Sequence, residues 1–146
     1  MADPIVRPRL PHDVGAPWTT VEASELYEIA HWGKGYFSIG EKGHVRIHPG
    51  KDPARAIDLK ELVDHLQLRG IGLPTLIRFR DILQHRLRDI YDAFQSAIAQ
   101  HEYAGRYLCV YPIKVNQQRQ VVEEVVDLGR TFKFGLEAGS KPELLP

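Results

Sequence analysis

The sequence predicts an α/β fold, the opening of either a (β/α) barrel or a doubly wound sheet, preceded by a separate β-hairpin. Residues 106–114 are nearly continuous in apolar and β-favouring side chains, the pattern of a strand buried on both faces of a parallel sheet. A helical pattern over 118–128 and a second strand-like run over 132–137 follow; short links between the three require parallel strands and a right-handed crossover. A short strand-like run at 73–79 and a long amphipathic helix over 81–100 lead into this unit.

The chain has 146 residues, 43% hydrophobic and 26% charged, which is the make-up of an ordinary globular protein and excludes disordered and collagen-like classes. Nineteen basic and nineteen acidic residues cancel, so nucleic acid is not expected as a partner. Cys109 is the only cysteine. It excludes an intramolecular disulfide and a multi-cysteine zinc site and fits a reducing compartment, which makes the cytoplasm the expected address. No targeting signal and no membrane-spanning run is evident, so no membrane partner is expected.

Residues 1–17 carry prolines at positions 4, 8, 11 and 17 and are expected to form an extended, poorly ordered leader. Thr19 and Glu22 have capping-box spacing and open one small helix through Leu26, Ile29 and Ala30, closed by Gly33. Residues 36–39 and 44–48 are strand-like around the turn Gly40-Glu41-Lys42-Gly43, a hairpin that must lie on something else. His44 and His48 share one face of its second strand, but no third ligand is evident. They read as exposed strand histidines, and no metal site is expected. Asp58 caps a helix built on Leu59, Leu62, Val63 and Leu66, with Glu61 at the capping-box position and Gly70 after the end. These elements make up a region 18–72, and the α/β unit a region 73–146.

In the long helix, Leu83, Leu87, Ile90, Phe94, Ala97 and Ile98 form one stripe expected to be core. Arg69, Arg78, Arg80, Arg86 and Arg88 are interleaved with Asp81 and Asp89, the pattern of a salt-bridged face. His85 and His101 are expected on solvent-facing turns, Cys109 in the core, and Gly129 as the residue that closes the last helix. The sequence stops where a further helix starts, which reads as a truncation.

In α/β folds functional groups collect at the carboxyl ends of strands, and Lys114 and Glu137 both fall there. Desolvation at a buried strand end favours a neutral amine, which attacks carbonyls to form a Schiff base, the attachment that pyridoxal phosphate requires. A carboxylate on the adjacent strand can orient that amine or shuttle a proton. The plainer alternative is a snorkelling lysine with a surface partner. No dinucleotide loop, P-loop, CxxC or HExxH pattern points elsewhere.

Tyr111-Pro112-Ile113-Lys114-Val115-Asn116-Gln117, together with Gly135-Leu136-Glu137-Ala138-Gly139-Ser140-Lys141, closely resembles the biosynthetic arginine decarboxylases, pyridoxal phosphate enzymes of the alanine racemase-like barrel class. Trp32-Gly33, the run 35–39, Ile57-Asp58-Leu59 and the run 81–86 support the likeness in the same order, which covers residues 27–146. The resemblance implies the opening part of a pyridoxal phosphate-binding (β/α)8 TIM-type barrel, with the hairpin belonging to a second, β-rich domain. It implies Lys114 as catalytic residue and covalent cofactor anchor, Glu137 as catalytic and cofactor-binding, and Glu143 as a further cofactor-binding position. It further implies pyridoxal 5'-phosphate and Mg2+ as cofactors, the latter without a site in this sequence. L-arginine would be converted to agmatine and carbon dioxide for putrescine and spermidine synthesis, by a homo-oligomer of two or more copies. The family's phosphate loop, its partner for the pyridine nitrogen and its guanidinium site have no counterpart here, and Cys109 does not match its catalytic cysteine. The resemblance therefore implies an N-terminal fragment, inactive alone. Two alternatives stand beside it: a decarboxylase of lysine, ornithine or diaminopimelate, or a non-catalytic homologue that binds decarboxylase subunits.

Overall fold

In the computed structural model, which describes residues 17–145, the first helix begins where the capping box predicts it. The Glu22 amide donates to the Thr19 hydroxyl at 3.2 Å and the Thr19 amide to the Glu22 carboxylate at 2.7 Å, satisfying two donors that a helix start leaves open. The expected leader lies, up to residue 16, outside the described residues. The single helix expected next is in fact two, α1 (Thr20–Leu26) and α2 (Ile29–Gly33), because Glu28 adopts a left-handed conformation between them (φ 50°). Beyond the break Ile29 is buried, and both helices pack on the first strand.

The hairpin forms as expected, β1 (Phe37–Ile39) antiparallel to β2 (Val45–Ile47), with Phe37 opposite Ile47 and Ile39 opposite Val45. A third strand, β3 (Ile57–Asp58), pairs with the other edge of β2 and places Asp58 opposite Arg46. Ile47, 1% exposed, is the centre of this small sheet. The two histidines are not the exposed strand residues expected. Both are half-buried; His44 Nδ1 lies 3.0 Å from Asp58 Oδ2, and His48 Nε2 lies 2.7 Å from Ser38 Oγ. Asp58 also starts α3 (Leu59–Leu68) by accepting the Glu61 amide at 3.1 Å, while the Glu61 side chain turns to Lys42, at 3.1 Å.

Residues 73–79 form no strand. Their β-favouring side chains find no neighbouring backbone to pair with, and a strand exists only through its ladder. Arg78 instead reaches across to Gln118, donating to Oε1 at 2.6 Å. Helix α4 (Arg80–Gln100) buries Leu87 and half-buries Leu83, Ile90 and Ile98, but Phe94 and Ala97 are exposed, so the stripe is covered as core only in part. Phe94 stacks on Tyr107 with ring centroids 3.7 Å apart. His85 faces inward rather than to solvent, because the buried Tyr36 brings its hydroxyl to 2.7 Å from His85 Nδ1 and so ties the first region to α4. The arginines follow the expected ionic pattern in part: Arg86 meets Asp89 at 2.8 Å and Arg80 meets Glu124 at 3.5 Å.

Strands β4 (Val110–Pro112) and β5 (Gly135–Glu137) are parallel and joined by α5 (Arg119–Phe132), the crossover unit that the sequence predicts. Pro112 stands opposite Glu137. The first strand is shorter than expected and not doubly buried: Val110 is exposed, since β4 is paired along one edge only. Gly129 does not close the helix but lies within it. A Cβ there would stand 2.7 Å from the Phe134 Cβ, so the glycine is required for close packing, and Lys133 ends the helix in a left-handed conformation (φ 55°). Among the described residues no helix is long and apolar enough to cross a membrane.

Burial pushes the Asp58 carboxyl upward, but the Glu61 amide, the hydrogen bond and charge of His44, and the Lys60 amide outweigh it and hold the pKa below the usual aspartate value. A carboxylate with a depressed folded pKa stabilises the fold above its unfolded pKa of about 4, and that contribution is lost as pH falls through the folded value. Asp58→Asn is therefore expected to lower the urea midpoint near neutral pH, with the difference from the parent shrinking below about pH 4. A difference that stays constant through the acid range would contradict this.

Candidate active site

The lysine is positioned by a turn rather than by a strand. After Pro112 the chain enters a 3₁₀ turn (Ile113–Val115) in which Ile113 is buried and Lys114 is exposed. The expectation that a buried strand end desolvates this amine is therefore not met by the described residues. Local polar contacts hold the turn's exit. The Tyr111 hydroxyl donates to the Asn116 carbonyl at 3.2 Å, and Asn116 Oδ1 accepts the Gln118 amide at 3.0 Å, ahead of α5, whose own N-cap side chain accepts from no helix amide. Arg78, bonded to Gln118, adds a link from a segment forty residues earlier.

Glu137 ends β5 and is half-buried. The chain then turns at Gly139, where a Cβ would stand 3.3 Å from Glu137 Oε1, close enough to crowd that carboxylate, and 3.9 Å from Glu143 Oε2, an ordinary contact. Glu143, in a second 3₁₀ turn (Lys141–Leu144), accepts the Gly139 amide at 2.8 Å and the Ser140 hydroxyl at 2.8 Å. The Gly139 amide, then the Ser140 hydroxyl, hold the Glu143 carboxyl below the usual glutamate pKa against slight desolvation, and the charge of Lys114 adds to them.

Lys114 and Glu143 are thus within electrostatic reach of each other. Among the described residues, however, Lys114 donates no hydrogen bond and forms no ion pair within 4 Å with either glutamate. A groove of about 860 Å³ between α5 and residues 141–144 is lined by Ile113, Gln117, Val122, Leu136 and Glu143, but by neither Lys114 nor Glu137. The arrangement offers an accessible primary amine at the carboxyl end of a parallel strand, beside a carboxylate fixed by two donors. Among the described residues no group of three or more His, Cys, Asp or Glu side chains could hold a metal ion.

Sequence reading missed the residues that build these turns. Ser140 and Glu143 have the Ser-x-x-Glu spacing of a capping box, and Asn116 stands two residues ahead of a helix-starting amide, so both signals were present. The ranking of contributions to Glu143 is testable by carbon-detected NMR titration: Ser140→Ala is expected to raise its pKa more than Lys114→Ala does. The opposite order would mean that the lysine, not the hydroxyl, governs this carboxylate.

No family model matches the chain. It is 54% identical over 128 residues to the biosynthetic arginine decarboxylase of Rhodopirellula baltica, covering 88% of this chain and 19% of that protein. The Prochlorococcus marinus (strain MIT 9313) protein of the same name is 52% identical over 128 residues, with 88% and 20% covered. That of Nostoc sp. is 48% identical over 135 residues, with 92% and 20% covered. The chain therefore spans about a fifth of the length of the curated relatives it matches. At this identity over nearly all of its own length, the chain is a homologue of one segment of the biosynthetic arginine decarboxylases.

Proposed function

We propose that this chain supplies the cofactor-anchoring corner of an arginine decarboxylase. The observation that carries the reading is Lys114, an exposed amine free of ion pairs among the described residues, on the turn that follows a parallel strand. Arginine as the substrate is supported by the names of relatives about half identical to the chain. In the same reading, β4, α5 and β5 belong to the opening of a (β/α)8 barrel. Residues 18–72 then contribute their three-stranded sheet to a second, β-rich domain, and copies associate into a homo-oligomer.

The residues fit pyridoxal 5'-phosphate at its aldehyde end, where a lysine must be reachable and unpaired. When bound, that cofactor supplies the electron sink which stabilises the carbanion left by departing carbon dioxide. Lys114 would hold it covalently through its amine. Glu137, opposite Pro112 at the end of the neighbouring strand, would take or return the amine's proton once the two side chains are brought into contact. Glu143, pinned by Gly139 and Ser140, contributes a fixed negative charge that draws the Lys114 ammonium toward the corner. Asn116 and Arg78 keep the lysine turn in register with α5.

A chimera in which this chain replaces the matching segment of the Rhodopirellula baltica protein tests the reading. It is expected to release carbon dioxide from L-arginine. Lys114→Ala should abolish at least about a thousandfold of that rate, and Glu137→Gln about a hundredfold. A Lys114→Ala chimera with the parental rate, or a chimera active on lysine or ornithine but not on arginine, would reject it.

A further inference from the structure

Two Lys-Gly neighbours in the first region, Lys34-Gly35 and Gly50-Lys51, adopt the same unusual backbone. Lys34 (φ 49°) and Lys51 (φ 60°) are left-handed, as are Gly35 (φ 82°) and Gly50 (φ 68°) beside them. A long side chain in that conformation is disfavoured, and such residues concentrate where the backbone is held for a purpose. Both lysines line one cleft of about 490 Å³, whose walls include Trp32, Tyr36 and Phe37 and whose rim carries Arg86 from α4.

The aromatic wall is fixed but accessible. Tyr36 is buried and its hydroxyl is bonded to His85, while Trp32 is 52% exposed with its ring 5.0 Å from that of Phe37. The Lys51 ammonium lies 4.9 Å from the Tyr36 ring centroid. Three cationic residues line the cleft, and among the described residues only Arg86 is matched by a carboxylate, Asp89 at 2.8 Å. Among the described residues neither Lys34 nor Lys51 has a carboxylate within 4 Å. Two lysines without a carboxylate partner, one of them over the Tyr36 ring, beside an exposed indole fit a ligand with two negative charges and a flat apolar body. A monocarboxylate would balance only one of them, and inorganic phosphate would leave the aromatic wall unused.

We propose that this cleft binds an aryl or heteroaryl phosphate monoester. Neither Lys114, Glu137 nor Glu143 lines it, so the proposal stands apart from the decarboxylase reading. Lys34 and Lys51 supply charge-assisted hydrogen bonds to the phosphate oxygens, and Trp32 and Phe37 cover the ring.

Calorimetric titration of the full 146-residue chain with phenyl phosphate, inorganic phosphate and phenol tests it. Phenyl phosphate is expected to bind saturably and at least about tenfold more tightly than either other probe. Asparagine tolerates left-handed backbone, so Lys34→Asn and Lys51→Asn should keep the fold while each weakens phenyl phosphate about tenfold. Lys42→Asn, the same charge change on the hairpin turn outside the cleft, should leave the affinity within about twofold. Absence of saturable binding, equal affinity for inorganic and phenyl phosphate, or equal weakening by Lys42→Asn would each overturn the proposal.

Discussion

The geometry at the carboxyl end of β4 depends on the way α5 packs down onto the two parallel strands. Val125, 1% exposed, is the centre of that contact, and Gly129 one turn later leaves room for Phe134 to pass beside the helix. Only with that room does the chain return in register, the Gly135 amide donating to the Cys109 carbonyl at 2.8 Å and Pro112 standing opposite Glu137. A one-residue slip would move Glu137 to the other face of the sheet. The carboxylates would then no longer lie near the lysine turn.

On that frame the site is assembled from short polar turns rather than from a buried core. Lys114 projects from a turn locked by Ile113 underneath and by Tyr111, Asn116 and Gln118 at its exit. Glu143 is set by a backbone amide and a hydroxyl on its own turn, so its charge is fixed without a salt bridge. What the described residues do not provide is a low-dielectric cover over the amine, which is the usual physical route to an easily deprotonated lysine. The relatives carry most of their length outside the matched segment.

The parts of the fold that were legible in the sequence are those fixed by local rules. The Thr19 and Asp58 caps, the hairpin around Gly40 to Gly43, and the crossover through α5 each follow from spacing within a few residues. The parts that were not legible depend on partners far along the chain. Residues 73–79 have strand composition but no partner, His85 turns inward because Tyr36 arrives from another element, and Gly129 serves Phe134 rather than the helix end. The site divides in the same way. Lys114 and Glu137 stand out in the sequence because the ends of parallel strands are where functional groups gather. The exposure of Lys114 could not be read, because it depends on what covers the strand rather than on the strand itself.

The central claim is that Lys114, among all the lysines of this chain, anchors an aldehyde cofactor. Borohydride reduction of the chimeric decarboxylase loaded with pyridoxal 5'-phosphate, followed by peptide mapping, tests it most directly. The account predicts a single reduced cofactor adduct, on the peptide containing Lys114. An adduct on Lys133 or Lys141, with Lys114 unmodified, would contradict it.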